Sequence, residues 1–180
     1  IYKIYKIYKI YKIYKIYKMI HYIFDLDDTL IKHQKGVQIN YDTMKPDNGL
    51  KSLLDNCNGE CYIYTNGTFG HAHTVIKKMN IINNFFKVYS RDTLPYMKPD
   101  PLSFVSVQND IRKNYQNTDI IYFFDDLLEN LNAAKNRGWK TFWIHPEANS
   151  NLYHYVDYGF TDIKTCLKYL EEYNINNTIF

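Results

Sequence analysis

Two nearly unbroken apolar runs, Ile20-His21-Tyr22-Ile23-Phe24 and Ile120-Ile121-Tyr122-Phe123-Phe124, each end in an aspartate, Asp25 and Asp125. Runs of this length, rich in β-branched and aromatic residues, read as strands. Because they lack polar alternation they must be covered on both faces, the setting of central strands in a parallel sheet. Further strand candidates are 61–65 (CYIYT), 87–90 (KVYS) and 140–144 (KTFWI). Between them lie helix candidates: one opening at Asp47 as N-cap and carrying Leu50, Leu53 and Leu54, and others at about 71–80, 101–114, 128–137 and 162–173. Strands followed by helices imply βαβ units. The expected class is α/β, a Rossmann-like three-layer sandwich with a mainly parallel five-stranded sheet.

The first 18 of the 180 residues are six copies of Ile-Tyr-Lys. A period of three matches neither the helix nor the strand repeat, so neither structure gathers an apolar face from it. The segment 1–18 reads as a low-complexity extension, and residues 19–180, starting at Met19, as one domain. The repeat also holds six of the 22 basic residues and no acid, which leaves 16 basic against 19 acidic residues in the body. A fold built around a nucleic-acid surface would carry positive charge in the body too, so composition argues against one. Cys57, Cys61 and Cys166 have no ligand-like or disulfide-like spacing. With no apolar run of membrane-span length, a soluble cytoplasmic protein with no membrane partner is expected.

Ligands of a parallel sheet bind at the C-terminal ends of its strands. That is where the unusual residues fall: Asp25-Leu26-Asp27-Asp28-Thr29-Leu30 after the first strand, Thr65-Asn66-Gly67-Thr68 after the second, Asp125-Asp126 after the fourth, and Lys98-Pro99-Asp100-Pro101 before the helix leading into it. Charges at the ends of buried strands are costly unless they bind something. Crowded carboxylates call for a cation, and an all-oxygen donor set suits Mg²⁺. A hydroxyl, a Gly-containing turn opening a helix and a Lys are what a phosphate requires.

These four segments, in this order, resemble the four motifs of the haloacid dehalogenase superfamily of phosphohydrolases. Thr65-Asn66-Gly67 followed by His71-Ala72, with Tyr89-Ser90-Arg91-Asp92 and Lys98-Pro99-Asp100-Pro101, most resembles its pyrimidine 5′-nucleotidase-like branch. The resemblance implies a Mg²⁺-dependent phosphomonoester hydrolase in which Asp25 attacks phosphorus and Asp27 is general acid and then general base. The dehalogenases of the superfamily lack an acid at the second position. It also implies that Asp25, the backbone carbonyl of Asp27 and Asp126 hold Mg²⁺, with Asp125 on a metal water or on Lys98. Thr65 and the N–H groups of Asn66 and Gly67 would hold the phosphoryl oxygens, and Lys98 would offset charge between nucleophile and phosphate.

Other readings of single residues stand beside these. Asp28 reads equally as a turn or helix cap, and His71 and His73, at the start of a helix, read as packing or capping residues. Glu129 and Asn130 either orient the Asp126 loop or face water. Leu127 stands where relatives often carry Ser. The windows 31–60 and 68–97, where relatives insert a cap domain, are too short here to house one. An uncapped site admits a phosphorylated small molecule or a macromolecular phosphate end, on a phosphoprotein or nucleic acid, and a binding protein on an inactive hydrolase fold is the non-enzymatic alternative.

Overall fold

The computed structural model describes residues 19–33, 39–113, 119–148 and 153–177. The repeat at 1–18 and the turn expected at Lys35-Gly36, within the 31–60 window, lie outside the described residues. The elements run β1 (Ile20–Phe24), α1 (Asn48–Asp55), β2 (Gly59–Tyr64), α2 (Phe69–Lys78), β3 (Phe85–Tyr89), α3 (Pro101–Arg112), β4 (Ile120–Asp125), α4 (Leu128–Lys135), β5 (Lys140–Ile144), β6 (Tyr158–Phe160) and α5 (Ile163–Asn177). Short 3₁₀ turns at Tyr41–Thr43 and Ile82–Asn84 precede α1 and β3.

The strands form one sheet in the order β3-β2-β1-β4-β5-β6, and every pairing is parallel. The class is the expected Rossmann-like one, with six strands rather than five. The strand missed by sequence reading, β6, has three residues, Tyr-Gly-Phe, too short to show a period of its own. It is held at the edge by pairing Phe142 with Tyr158 and Ile144 with Phe160.

Alternate strand residues feed two cores. On one face Tyr22, Phe24, Ile63, Phe124, Phe142 and Ile144 pack with Leu50, Val75, Ile76, Ile163 and Leu167 from α1, α2 and α5. On the other, Ile23, Tyr62, Tyr64, Ile121 and Phe123 pack with Phe104, Val107 and Leu131 from α3 and α4. Phe24, Phe124 and Phe142 stack in sequence across β1, β4 and β5, with ring centroids 4.5 and 4.6 Å apart. Each such ring contributes about 1.5–3 kcal/mol by leaving water, and together they fix the register that places the strand ends.

Helix starts follow local chemistry. Asp47 accepts the Leu50 N–H at 2.9 Å, Thr68 that of His71 at 3.2 Å, and Asp100 that of Leu102 at 2.8 Å, with Pro101 in the first turn. The parallel register Ile20↔Ile120 through Phe24↔Phe124 carries Asp25 and Asp125 to the same level. The strand order reverses between β1 and β4, so these two acids stand at the crevice where open α/β sheets bind their ligands.

Candidate active site

Each strand ladder continues into the loop that carries a candidate residue. The Asp25 N–H donates to Phe124 O and the Thr65 N–H to Tyr89 O, both at 2.9 Å, so neither loop is free to wander at its start. Past Asp25 the chain folds tightly, with the N–H groups of Leu30 and Ile31 both bonded to Leu26 O at 3.0 Å. Asp28 takes a left-handed conformation, φ 61°, which Asp enters more readily than most residues because its carboxylate can bond locally. Its Oδ1 accepts the His33 N–H at 3.0 Å. Asp28 is thus a turn residue here.

At the centre is Lys98. Its Nζ donates to Asp25 Oδ1 and Asp125 Oδ2 at 2.7 Å each and to Tyr64 O at 2.8 Å. The side chains of Lys98, Asp25 and Asp125 are all buried. Burial alone depresses a lysine, but the carboxylates of Asp125 and Asp25 outweigh it and hold this ammonium charged above its usual range. The position of Lys98 is set from its backbone: Asn66 Nδ2 donates to Lys98 O at 2.8 Å and Asn66 Oδ1 accepts Lys98 N–H at 3.0 Å. The Lys98-Pro99 peptide is cis.

Carboxylate oxygens of Asp25, Asp125 and Asp126 all lie within 4.8 Å of one another. One buried lysine does not neutralise three acids. Burial, with Asp125 nearby, pushes Asp25 up to about 7 despite Lys98, and burial and Asp125 raise Asp126 to about 6. An all-oxygen set short of positive charge fits a small hard cation.

Asp125 is the most fully bonded of the three. Besides Lys98 it accepts Leu127 N–H at 2.9 Å and Asn130 Nδ2 at 3.0 and 3.1 Å. Helix α4 has no side-chain cap at Leu127, and the Asp125 carboxylate takes up that N–H. Asn130 is therefore an anchor of this loop, while Glu129 faces water.

The turn after β2 differs from expectation at one atom. The Gly67 N–H, assigned by resemblance to a phosphoryl oxygen, donates to Thr65 Oγ1 at 2.9 Å. That bond leaves the Thr65 hydroxyl hydrogen to point elsewhere. The turn is fastened from behind, since Arg91 Nε donates to Asn66 O at 2.8 Å, Arg91 N–H to Gly67 O at 3.1 Å and Phe69 N–H to Asp92 Oδ2 at 2.8 Å. Gly67 sits in a close approach: a Cβ there would lie 3.0 Å from His71 Cδ2 and 3.2 Å from Thr65 Oγ1.

The carboxylate of Asp27 stands outside the three-acid group and is bound by histidines. His33 Nε2 lies 2.6 Å and His71 Nε2 2.8 Å from its Oδ1, and His71 Nδ1 is 2.8 Å from the Tyr41 hydroxyl. The packing or capping role expected for His71 is thus corrected: Thr68 caps the helix, and the His71 ring spans the gap between Tyr41 and Asp27. His73 is exposed, with its ring against Phe69. Sequence reading passed over His33 and Tyr41, which carry no motif spacing.

The sequence matches the model of the haloacid dehalogenase-like hydrolases over residues 33–144. No curated protein matches it. Among solved structures, the fold is similar to L-2-haloacid dehalogenase from Xanthobacter autotrophicus, with a TM-score of 0.57 and 15% identity over 72% of this chain and 62% of that one. It is similar also to YfnB from Bacillus subtilis bound to magnesium, with a TM-score of 0.63 and 12% identity over 87% of this chain and 98% of that one. A Thermotoga maritima protein provisionally named β-phosphoglucomutase gives a TM-score of 0.65 at 14% identity, over 86% of this chain and 99% of that one. The chain therefore spans about 62% of the length of the Xanthobacter dehalogenase. At these identities the structures speak for the fold alone; with the matched family model spanning residues 33–144, the chain belongs to the haloacid dehalogenase-like hydrolases.

Proposed function

We propose that this protein is a Mg²⁺-dependent phosphomonoester hydrolase working through an aspartyl-phosphate on Asp25. The observation that carries the reading is the buried triad in which Lys98 Nζ bridges Asp25 Oδ1 and Asp125 Oδ2 at 2.7 Å. With Oδ1 tied to the ammonium, Oδ2 of Asp25 is the oxygen left to attack phosphorus. The P–O bond to the leaving group breaks as Asp27 gives it a proton. Asp27 then takes a proton from the water that attacks the aspartyl-phosphate, and inorganic phosphate departs. The Thr65 hydroxyl and the Asn66 N–H serve the phosphoryl oxygens, and Lys98 offsets charge beside them.

Asp25, Asp126 and the Asp27 carbonyl would hold Mg²⁺, with Asp125 behind them; the ion would offset charge on the phosphoryl group and keep Asp25 ionised. Asp27, two residues beyond the nucleophile, favours phosphoryl transfer over dehalogenation, which proceeds in the family without an acid there.

For the substrate we favour a phosphate ester with an aromatic or apolar organic part, in the manner of the nucleotidase-like branch, at a site without a cap domain. Phe69, Tyr96, Met97 and Leu127 are large exposed side chains, each within two residues of Gly67, Lys98 or Asp126. They are exposed apolar side chains on the segments that carry Gly67, Lys98 and Asp126, which supports such an organic part. The test is hydrolysis of 4-nitrophenyl phosphate with Mg²⁺ and with chelator, followed by a panel of nucleoside monophosphates, sugar phosphates and 5′-phosphorylated oligonucleotides. Absence of Mg²⁺-dependent turnover, or turnover without acid-stable label on Asp25, rejects the reading.

A further inference from the structure

The two imidazoles on Asp27 have a chemical consequence that rests on the phosphatase reading. His71 Nε2 lies 2.8 Å from Asp27 Oδ1, and its Nδ1 lies 2.8 Å from the Tyr41 hydroxyl. Tyr41 thus sets the tilt of the ring from the side away from Asp27. His33 Nε2 lies 2.6 Å from the same Oδ1, and its backbone is held through the Asp28 bond.

Both imidazoles meet Oδ1, and His71 reaches Oδ2 only at the longer 3.1 Å. Oδ2 faces the turn after β2: a Cβ built on Gly67 would lie 3.6 Å from it. We infer that His71, oriented by Tyr41, and His33 are positioning residues that hold the Asp27 carboxylate by Oδ1 and turn Oδ2 toward the phosphate turn at Thr65-Asn66-Gly67. In the proposed reaction the proton passes from Asp27 to the leaving oxygen as the P–O bond breaks, leaving Asp27 a carboxylate. It is restored from the attacking water when the aspartyl-phosphate is cleaved.

Misplacing this carboxyl group matters most where the leaving group is poor. A stable leaving anion needs little protonation, whereas an unactivated one depends on it, and positioned proton transfer supplies about 10²–10⁴ in rate. The experiment compares kcat/KM for 4-nitrophenyl phosphate and phenyl phosphate, with Mg²⁺, in the wild type and in His71→Ala, His33→Ala, His71→Gln and Tyr41→Phe. His71→Ala is expected to lose at least about tenfold more on phenyl phosphate than on 4-nitrophenyl phosphate. His71→Gln, whose amide can still donate, should recover part of that difference. Tyr41→Phe, which removes a single hydroxyl, tests the same point should the alanine variants fold poorly, and should show a smaller difference in the same direction. Equal losses on both esters across the folded variants would overturn the inference while leaving the phosphatase reading intact. A wild type that cleaves neither ester would instead reject the phosphatase reading.

Discussion

Lys98 Nζ lies 2.7 Å from Asp25 Oδ1, a contact between residues 73 positions apart in a place closed to solvent. It joins the end of the central strand to the loop before α3, and it accounts for how an acid can sit at the end of an apolar strand. The ammonium offsets only part of what burial costs the two carboxylates it touches.

Replacing the nucleophile tests the chemistry directly. Asp25→Asn preserves shape but cannot form the phosphoanhydride, so Mg²⁺-dependent hydrolysis of 4-nitrophenyl phosphate should fall by at least about a thousandfold. Circular dichroism should be unchanged.

The same variant has a pH signature in metal-free protein. Burial, partly countered by Lys98, raises the Asp25 carboxyl from 3.8 to about 7, so between these values the folded state binds more protons than the unfolded one. Stability contributed by the protonated form is present at low pH and is lost as pH rises through that window. Asp126 and His21 also titrate but are common to both proteins. With chelator at pH 8, Asp25→Asn should therefore melt above the wild type, by about 4 °C or more, and the difference should shrink toward pH 4. Adding Mg²⁺ at pH 8 should raise the melting temperature of the wild type more than that of the variant.

Removing the cation leaves buried carboxylates uncompensated. Lys98→Met should destabilise the metal-free protein by about 3–5 kcal/mol in urea unfolding. Part of the loss should return with Mg²⁺. A midpoint unchanged from wild type would show that the ammonium does not balance the two acids.

Gly67→Ala places a methyl against His71 Cδ2 at 3.0 Å and Thr65 Oγ1 at 3.2 Å. One of them must shift, so kcat/KM should drop at least about tenfold, a displacement effect on positioned groups. The melting temperature should move by only a few degrees, about what 1 kcal/mol produces in a chain of this size.

Asn66 joins the turn after β2 to the backbone of Lys98 through two bonds, at 2.8 and 3.0 Å. Asn66→Ala removes both and leaves half-buried backbone groups of Lys98 without these partners, at a cost of about 1–3 kcal/mol. Asn66→Asp keeps an acceptor for the Lys98 N–H but loses the donor, and should fall between wild type and alanine in urea midpoint.

Local pattern was enough to place the sheet and the acids. The apolar runs at 20–24 and 120–124 specify strands buried on both faces, and an aspartate directly after each lands at the strand end whatever the rest of the chain does. The cap at Asp47 is equally local, because a cap bonds within three residues of itself. The three-residue β6 was invisible to such reasoning: it is a strand only because β5 offers an unpaired edge.

Partnerships across crossovers were settled only by the tertiary structure. Nothing in the spacing of His33, Tyr41 and His71 announces that all three serve Asp27, since the bonds span 6, 30 and 44 positions and depend on how α2 and the Tyr41 turn pack beside the first loop. The diversion of the Gly67 N–H to Thr65 and the anchoring of Asp125 by Asn130 likewise follow from side-chain directions set by packing. Which residues end the strands is legible in the chain's own pattern, because burial is written in periodicity. Which atom of each faces the chemistry was decided by the fold, because a hydrogen bond is directional and its partner comes from wherever the chain returns.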